Sequence, residues 1–563
     1  MDTSKPLRLW PGWAVALTTL LAVALSITPS IQNTVRFILM FAGPLLGALL
    51  FVVWLLLLSR LPAKERWLCL LLAFGPAAVP LFVGDPSIST ALWLYGVPLS
   101  LLATMVTLTL TRRRGPGRRL ASLGAISVAC WAFFALWRLE GFDGGYLPEL
   151  AWRGAPTSEE LMADIEVSSS KTGVDWTAGT AEWPGFRGAR GDSRAPDVTE
   201  ALDWATAPPE ELWRTSVGPA WSSFAFAQGR LFTQEQRGDF EVISSLDAAT
   251  GERIWEHRFE SRFQELVSGS GPRATPTLAG ERLFALGGRG VLVALDARTG
   301  EELWRRDLMQ EMGAPLPMWG FSSSPAVAGG HVIVHAGPST TRGLIALSVA
   351  DGELAWSLST EGINFSSAQP MVLRGVEIVL FGDKAGLVAV DPATGDVAWR
   401  FKPSAWEGPS MVQPQAVGGG TVLTALGDGI GTARIDVELR QGEWHLEERW
   451  SSIRLKPSYN DFVVHAGHIY GFDQNIFASV DLETGERNWK RGRYGFGQVL
   501  VTGGGQLIVQ AESGDIRLLA ADPAAHRELG RFDALEDKTW NHPIVADGTL
   551  FVRNGREIVA FRL

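Results

Sequence analysis

Eight short segments concentrate the side chains that could do chemistry. They are Pro219–Ser223, Gly271–Thr275, Met318–Ser323, Asn364–Ser367, Gln413–Gln415, Tyr459–Asp461, Arg493–Gln498 and Lys538–His542. A connecting turn needs little more than Gly, Asn and Ser. These segments instead carry Trp319, Trp540, Arg273, Lys538, Asn460, Asp461, Gln498 and Asn541, and a nearby turn adds Glu235 and Arg237. Trp319 or Trp540 could floor a flat anionic ligand, and Arg237, Arg273 or Lys538 could hold its carboxylates. Gln498, Asn460 and Asn541 offer amides to its edge. Glu235 with Asn460 offers oxygen ligands to a hard cation such as calcium. Asp461 is a candidate base, because hydride removal from an alcohol requires its proton to be taken. The same groups could instead cross-link neighbouring elements around a water-filled channel.

The elements that position these segments are repeats. The unit Ala/Ser-x-Asp-x-x-Thr-Gly-x-x-x-Trp occurs at Ser245–Trp255, Ala294–Trp304, Ala389–Trp399 and Ser479–Trp489. Ala346–Trp356 is a worn copy, and degraded copies lie near Ile435–Trp450 and Ala521–Phe532. Residues before Asp alternate as in a strand. Asp and Thr oxygens bond the turn backbone, and Gly takes positive φ. The next strand ends in Trp, a large flat ring to bury against a neighbour. Four strands in about 40–50 residues is the period of a β-propeller.

Inner strands are expected near Ser222, Ala274, Ser323, Gln369, Gln413, Phe462, Gln498 and His542, giving eight blades, or seven if the irregular fifth unit is not a blade of its own. The last unit, Asn541–Leu563, supplies only three strands. Glu211–Val217, just ahead of the first blade, supplies the fourth. Pairing the two chain ends closes the ring and removes exposed edges. In such a ring the eight segments converge on one mouth of the central channel.

The eleven-residue unit resembles the tryptophan-docking motif of pyrroloquinoline quinone (PQQ) repeat propellers, over residues 211–563. That family holds PQQ-dependent alcohol and sugar dehydrogenases. It also holds the non-enzymatic BamB-type propeller that works in outer-membrane protein assembly. The first branch implies PQQ with calcium at the channel mouth and a small-molecule substrate. The second implies an envelope protein as partner and no catalysis. No adjacent Cys-Cys pair is present, and the loops are shorter than dehydrogenases use to exclude water. No lipoprotein cysteine starts the chain either, as the assembly branch would have.

The front of the chain is of another kind. Residues 1–140 hold twelve Lys/Arg against four Asp/Glu, and the remainder holds thirty-eight against fifty-six. The acidic back half makes nucleic acid a poor partner. Five apolar segments, near 13–27, 35–59, 67–83, 91–110 and 120–137, read as membrane spans, the third carrying Pro76 and Pro80. Basic residues cluster before the first, between the second and third, and between the fourth and fifth. With the basic loops inside, an odd number of spans delivers the propeller outside. The expectation is a multi-pass inner-membrane protein with a periplasmic propeller: anchor 1–138, linker 139–210, propeller 211–563. All eight histidines lie beyond the spans, and the two cysteines, Cys69 and Cys130, lie in apolar stretches. This composition excludes a CxxCH haem and a CxxC zinc pair. In the linker, Thr157 and Glu160 have capping-box spacing for a helix near 158–166. Residues 183–192, Trp-Pro-Gly-Phe-Arg-Gly-Ala-Arg-Gly-Asp, are too aromatic for a pure linker and should pack on the propeller.

Overall fold

The computed structural model describes residues 7–28, 31, 33–162, 181–337, 339–362, 364–408 and 410–563. It divides into two compact units. One runs to Pro156 and includes Leu266–Gly269; the other comprises Thr157–Glu265 and Ser270–Leu563.

The first unit is helical. Three of its helices are long and apolar enough to cross a membrane: Val35–Leu58, Ala63–Val83 and Ile88–Leu110. Trp10–Ser26 has 17 residues, short of the about 20 a span usually needs. Pro116–Phe134 opens on Arg118 and Arg119, which lower its hydropathy. The prolines of the third segment do not break it. Pro76 falls in a single 3-10 turn, Gly75–Ala77, between two α-helical stretches. A tighter turn tolerates the missing N–H. Leu57, Leu71, Phe82 and Leu110 are exposed on these helices, while Trp54, Leu101 and Met105 are buried. A hairpin, Trp137–Phe142 with Pro148–Trp152, completes the unit.

The second unit is an eight-bladed propeller. Each blade is a four-stranded antiparallel sheet, and the inner strands begin at Ala225, Thr277, Ala326, Gln369, Gln415, Val463, Gln498 and Ile544. Glu210–Ser216 pairs with Glu557–Arg562 and supplies the outer strand of blade 8. The ring closes as the repeat pattern requires.

The repeats show why Trp and Gly travel together. The outer-strand Trp of one blade lies on the turn glycine of the next. A Cβ added at Gly300 would sit 2.6 Å from the Trp255 ring, and one at Gly485 would sit 2.7 Å from Trp450. Both glycines also have φ above +65°, so no other residue fits without strain. Each indole N–H then donates to a carbonyl in that turn: Trp255 to Ala297 at 3.1 Å, Trp304 to Val349 at 3.1 Å, Trp450 to Leu482 at 3.0 Å. Blade 5 is the exception. It replaces the Asp-x-x-Thr-Gly turn by the hairpin Thr432–Arg440 and Glu443–Ser452. Trp399 of blade 4 is buried against it, and its indole N–H has no acceptor among the described residues.

The capping box at Thr157 forms, and Glu160 closes it over the helix Ser158–Leu161. The rest of that expected helix, 163–166, lies outside the described residues.

Candidate functional site: the propeller channel and its mouth

Segment 183–195 runs inside the channel. Trp183 and Phe226 of blade 1 exchange two backbone hydrogen bonds, at 2.7 and 3.1 Å. Arg194–Ala195 adds a parallel fifth strand to blade 7, beside Val501 and Thr502. Between these anchors lies Arg187, 1% exposed. Its Nη1 donates to Asp461 Oδ1 at 3.2 Å, its Nη2 to the Phe462 carbonyl at 2.7 Å, and its Nε to Ser193 Oγ at 2.7 Å.

Arg187 completes a ring of polar contacts. Two residues before the inner strand in blades 1–5, a backbone N–H donates to the matching side chain of the next blade. The bonds are Ser223 to Thr275 at 2.9 Å, Thr275 to Ser324 at 2.9 Å and Ser324 to Ser367 at 2.8 Å. They continue from Ser367 to Gln413 at 2.6 Å and from Gln413 to Asp461 at 2.7 Å. Arg187 and Ser193 carry the ring past blade 7. Ser193 Oγ lies 2.8 Å from His542 Nε2, and Ser223 Oγ donates to the His542 carbonyl at 2.5 Å. Burial, with Arg187 nearby, pushes the His542 pKa down to about 3, so the imidazole is neutral. With Nδ1 2.6 Å from the Pro543 carbonyl, the network assigns the proton to Nδ1. Nε2 then accepts from Ser193.

Asp461, the candidate base, is a member of this ring. It is 3% exposed. Burial raises its pKa, while Arg187 and the Gln413 N–H hold it down.

Glu235 and Arg237 lie in a buried ionic cluster in blade 1. Glu235 Oε2 accepts from the Gly218 N–H at 2.7 Å and Oε1 from Arg237 Nε at 2.6 Å. Arg237 also bonds Glu256 at 2.6 Å, and Arg253 lies 3.2 Å from the same carboxylate. Arg273 pairs with Glu265 at 3.4 Å and stacks on Phe263 at 4.8 Å. Burial pushes its pKa down to about 10 against the pull of Glu265 and Glu241. Asn460 is fully buried, and its side-chain oxygen accepts from the Ser458 N–H at 3.1 Å. Glu235 and Asn460 share no hydrogen-bond partner. Among the described residues, no group of three or more His, Cys, Asp or Glu side chains could hold a metal. These residues do not fit calcium and the carboxylates of PQQ as nominated. A cation at Glu235 would have to displace Arg237, and both arginines already neutralise carboxylates of their own.

The remaining candidates do converge. Gln498 Nε2 donates to the Trp540 carbonyl at 3.0 Å, tying blade 7 to blade 8. Asn541 Nδ2 donates to the Ser222 and Ala220 carbonyls at 2.7 and 3.0 Å, tying blade 8 to blade 1. Trp540 stands 4.9 Å from both Trp221 and Tyr459, and Tyr459 stacks on Phe496 at 5.4 Å. Lys538 lies 4.5 Å over the Trp540 ring, whose Nε1 donates to Glu512 at 2.7 Å. The mouth loops of blades 6, 7, 8 and 1 thus form one aromatic arc. Trp319 is half-buried in the blade 3 mouth loop and pairs with no other ring among the described residues. Met318 beside it is 61% exposed. Sequence reasoning missed Arg187, Ser193 and Glu512. The aromatic run at 183–192 signalled packing, but no pattern announced that its arginine would cross the channel.

The family profile of the outer membrane protein assembly factor BamB matches residues 204–270 and 239–491, just over half of the chain. This chain belongs to that family. The BamB of Yersinia pestis is 26% identical over 292 residues, a match covering 47% of this chain and 66% of that relative, just under two thirds of its length. Solved structures share the propeller. A quinohemoprotein alcohol dehydrogenase from Comamonas testosteroni superposes with TM-score 0.52 at 13% identity, covering 70% of this chain and 82% of that one. A europium-containing methanol dehydrogenase gives TM-score 0.52 at 12% identity, covering 68% and 98%. At such identities the likeness is one of fold. The BamB-type propeller described here therefore takes its function from its own side chains.

Proposed function

We propose that this BamB-type propeller is a non-catalytic docking platform of the cell envelope. A helical anchor of five spans, residues 1–138, holds it to the inner membrane and displays it in the periplasm. One observation carries the non-catalytic reading. Asp461, Glu235, Arg237 and Arg273, the charged groups suited to quinone chemistry, are each neutralised by a side chain of the same propeller. The surface that offers contact is the mouth-loop face, with the Trp221–Trp540–Tyr459 arc and the exposed Leu316 and Met318. Half-buried aromatics rimmed by polar groups are the usual anchors of a protein interface.

The test is a titration of the detergent-solubilised protein with PQQ in the presence of calcium, followed by tryptophan quenching. The platform reading expects no saturable quenching. It also expects Met318→Asp or Trp540→Ala to abolish recovery of a cross-linked envelope protein, with the circular dichroism spectrum unchanged. Saturable quenching that is lost in Glu235→Gln or Asp461→Asn would overturn it in favour of a quinoprotein dehydrogenase.

A further inference from the structure

The channel segment meets the inner strands unevenly. An inner strand is the free edge of its blade, and alternate residues turn N–H and C=O toward the channel, the middle one in a three-residue strand. In blade 1 that residue is Phe226, paired with Trp183. In blade 2 it is Leu278, whose N–H donates to the Pro184 carbonyl at 2.7 Å. In blade 7, Val501 donates to the Ser193 carbonyl at 2.9 Å. In blade 3 the register Ala326–Ile333, Val327–Val332, Ala328–His331 puts Val327 in the same place. Among the described residues, nothing pairs with the channel side of Val327.

In front of Val327 lies a cavity of about 290 Å³. One wall is the channel segment from Pro184 to Gly191; the other is the inner strands of blades 2, 3 and 4. Gly185, Gly188, Ala189, Gly191 and Ala326 line it, and the glycines let the channel segment approach Thr277, Trp183 and Gln369 closely. Arg190 lines it too. That side chain is 65% exposed and spends only Nε on Asp192, at 3.1 Å. Its Nη atoms have no partner among the described residues.

We propose that this cavity binds the C-terminal tail of another polypeptide, extended and small in its side chains. The tail pairs its backbone with Val327, as segment 183–195 does with blades 1, 2 and 7. Its terminal carboxylate meets the Nη edge of Arg190, the donor pair suited to a carboxylate. Edge pairing supplies affinity, and carboxylate capture makes a chain end the ligand. The volume lies at the small end of ligand pockets, which run about 300–1,000 Å³. It admits a short tail and excludes a folded element. Nothing in this site depends on the aromatic arc at the mouth.

The experiment uses the detergent-solubilised full chain and fluorescence anisotropy. The probe is fluorescein-labelled Gly-Ser-Ala-Val-Ala as the free acid, compared with its C-terminal amide. The free acid binds saturably, and the amide binds at least about tenfold more weakly. Arg190→Gln brings the acid down to the level of the amide. Val327→Pro removes the outward N–H, which pairs with nothing among the described residues, and fixes φ as an edge strand tolerates; Ala189→Trp fills the cavity from an exposed position. Each loses the acid at least about tenfold, with far-ultraviolet circular dichroism unchanged. Trp540→Ala leaves binding unaltered, which separates this site from the mouth. No saturation up to millimolar protein, equal binding of acid and amide, or binding that survives both Val327→Pro and Ala189→Trp overturns the proposal.

Discussion

Arg187→Met is the most informative single change. The side chain keeps its bulk inside the channel but loses four hydrogen-bonded partners, Asp461, Phe462, Ser193 and the Gln415 side-chain oxygen. Asp461 is left as a buried carboxylate with only the Gln413 N–H. Removing one partner of a buried ion pair costs about 3–5 kcal/mol, because the survivor is stranded without compensation. At about 4 kcal/mol the population in which segment 183–195 has left the channel rises roughly a thousandfold. Tryptic cleavage after Arg194 reads that population when opening is fast relative to cutting. Asp461→Asn alone should open the segment less, because Phe462 and Ser193 still hold Arg187. The double variant should recover at least about 1 kcal/mol relative to the sum of the single effects, since both changes remove the same contact. A cleavage rate in Arg187→Met equal to that of the unmodified protein would refute the argument. The arginine would then be a passenger in the channel and the ring would hold without it.

Three further outcomes follow from the packing. Trp304→Phe should lower Tm more than Trp399→Phe, because only Trp304 loses an indole hydrogen bond, about 1 kcal/mol. Equal losses would show that the bond contributes nothing. Gly300→Ala should destabilise by more than about 1 kcal/mol. Its φ is +76° and the new Cβ meets the Trp255 ring; calorimetry of the full chain checks it. Glu241 of blade 1 is buried, accepts from Ser261 and from the Gly288 N–H of blade 2, and has its pKa pushed up by burial to about 7 from 4.5. The folded protein therefore holds this proton more tightly than the unfolded chain. Stability is full below pH about 4.5 and falls as pH rises to about 7, by roughly 3 kcal/mol at most. Glu241→Gln should flatten that part of the Tm–pH curve, and a curve unchanged by the substitution would contradict it.

Much of the fold was legible because its cause is local and repeated. Asp, Thr and Gly define a turn within four residues, and a Trp at fixed spacing names the surface it will cover. Seven copies of one period, four of them clear, leave the chain little choice but a ring. The shared strand between the two ends was legible for the same reason, since the last unit lacked one strand and an extra one stood before the first. The helices were legible from apolar length alone, and a proline in the third proved harmless because a 3-10 turn absorbed it.

The roles of the mouth residues were not legible. Sequence gives the types Asp, Glu, Arg and Asn, and the same types serve catalysis or cross-linking equally well. The difference lies in which charges end up within about 4 Å of one another, and those distances join residues hundreds of positions apart. Asp461 and Arg187 are separated by 274 residues, and no periodicity links a channel segment to a blade. By itself, the sequence determined the propeller, its closure and its apolar helices, because each rests on short-range periodicity and hydrophobic burial; the structure settled eight blades over seven, since the irregular fifth still forms a four-stranded sheet. Only the tertiary structure decided that the channel is threaded by 183–195 and that the carboxylates are already paired. Electrostatic neutralisation depends on three-dimensional proximity, which the order of residues does not encode.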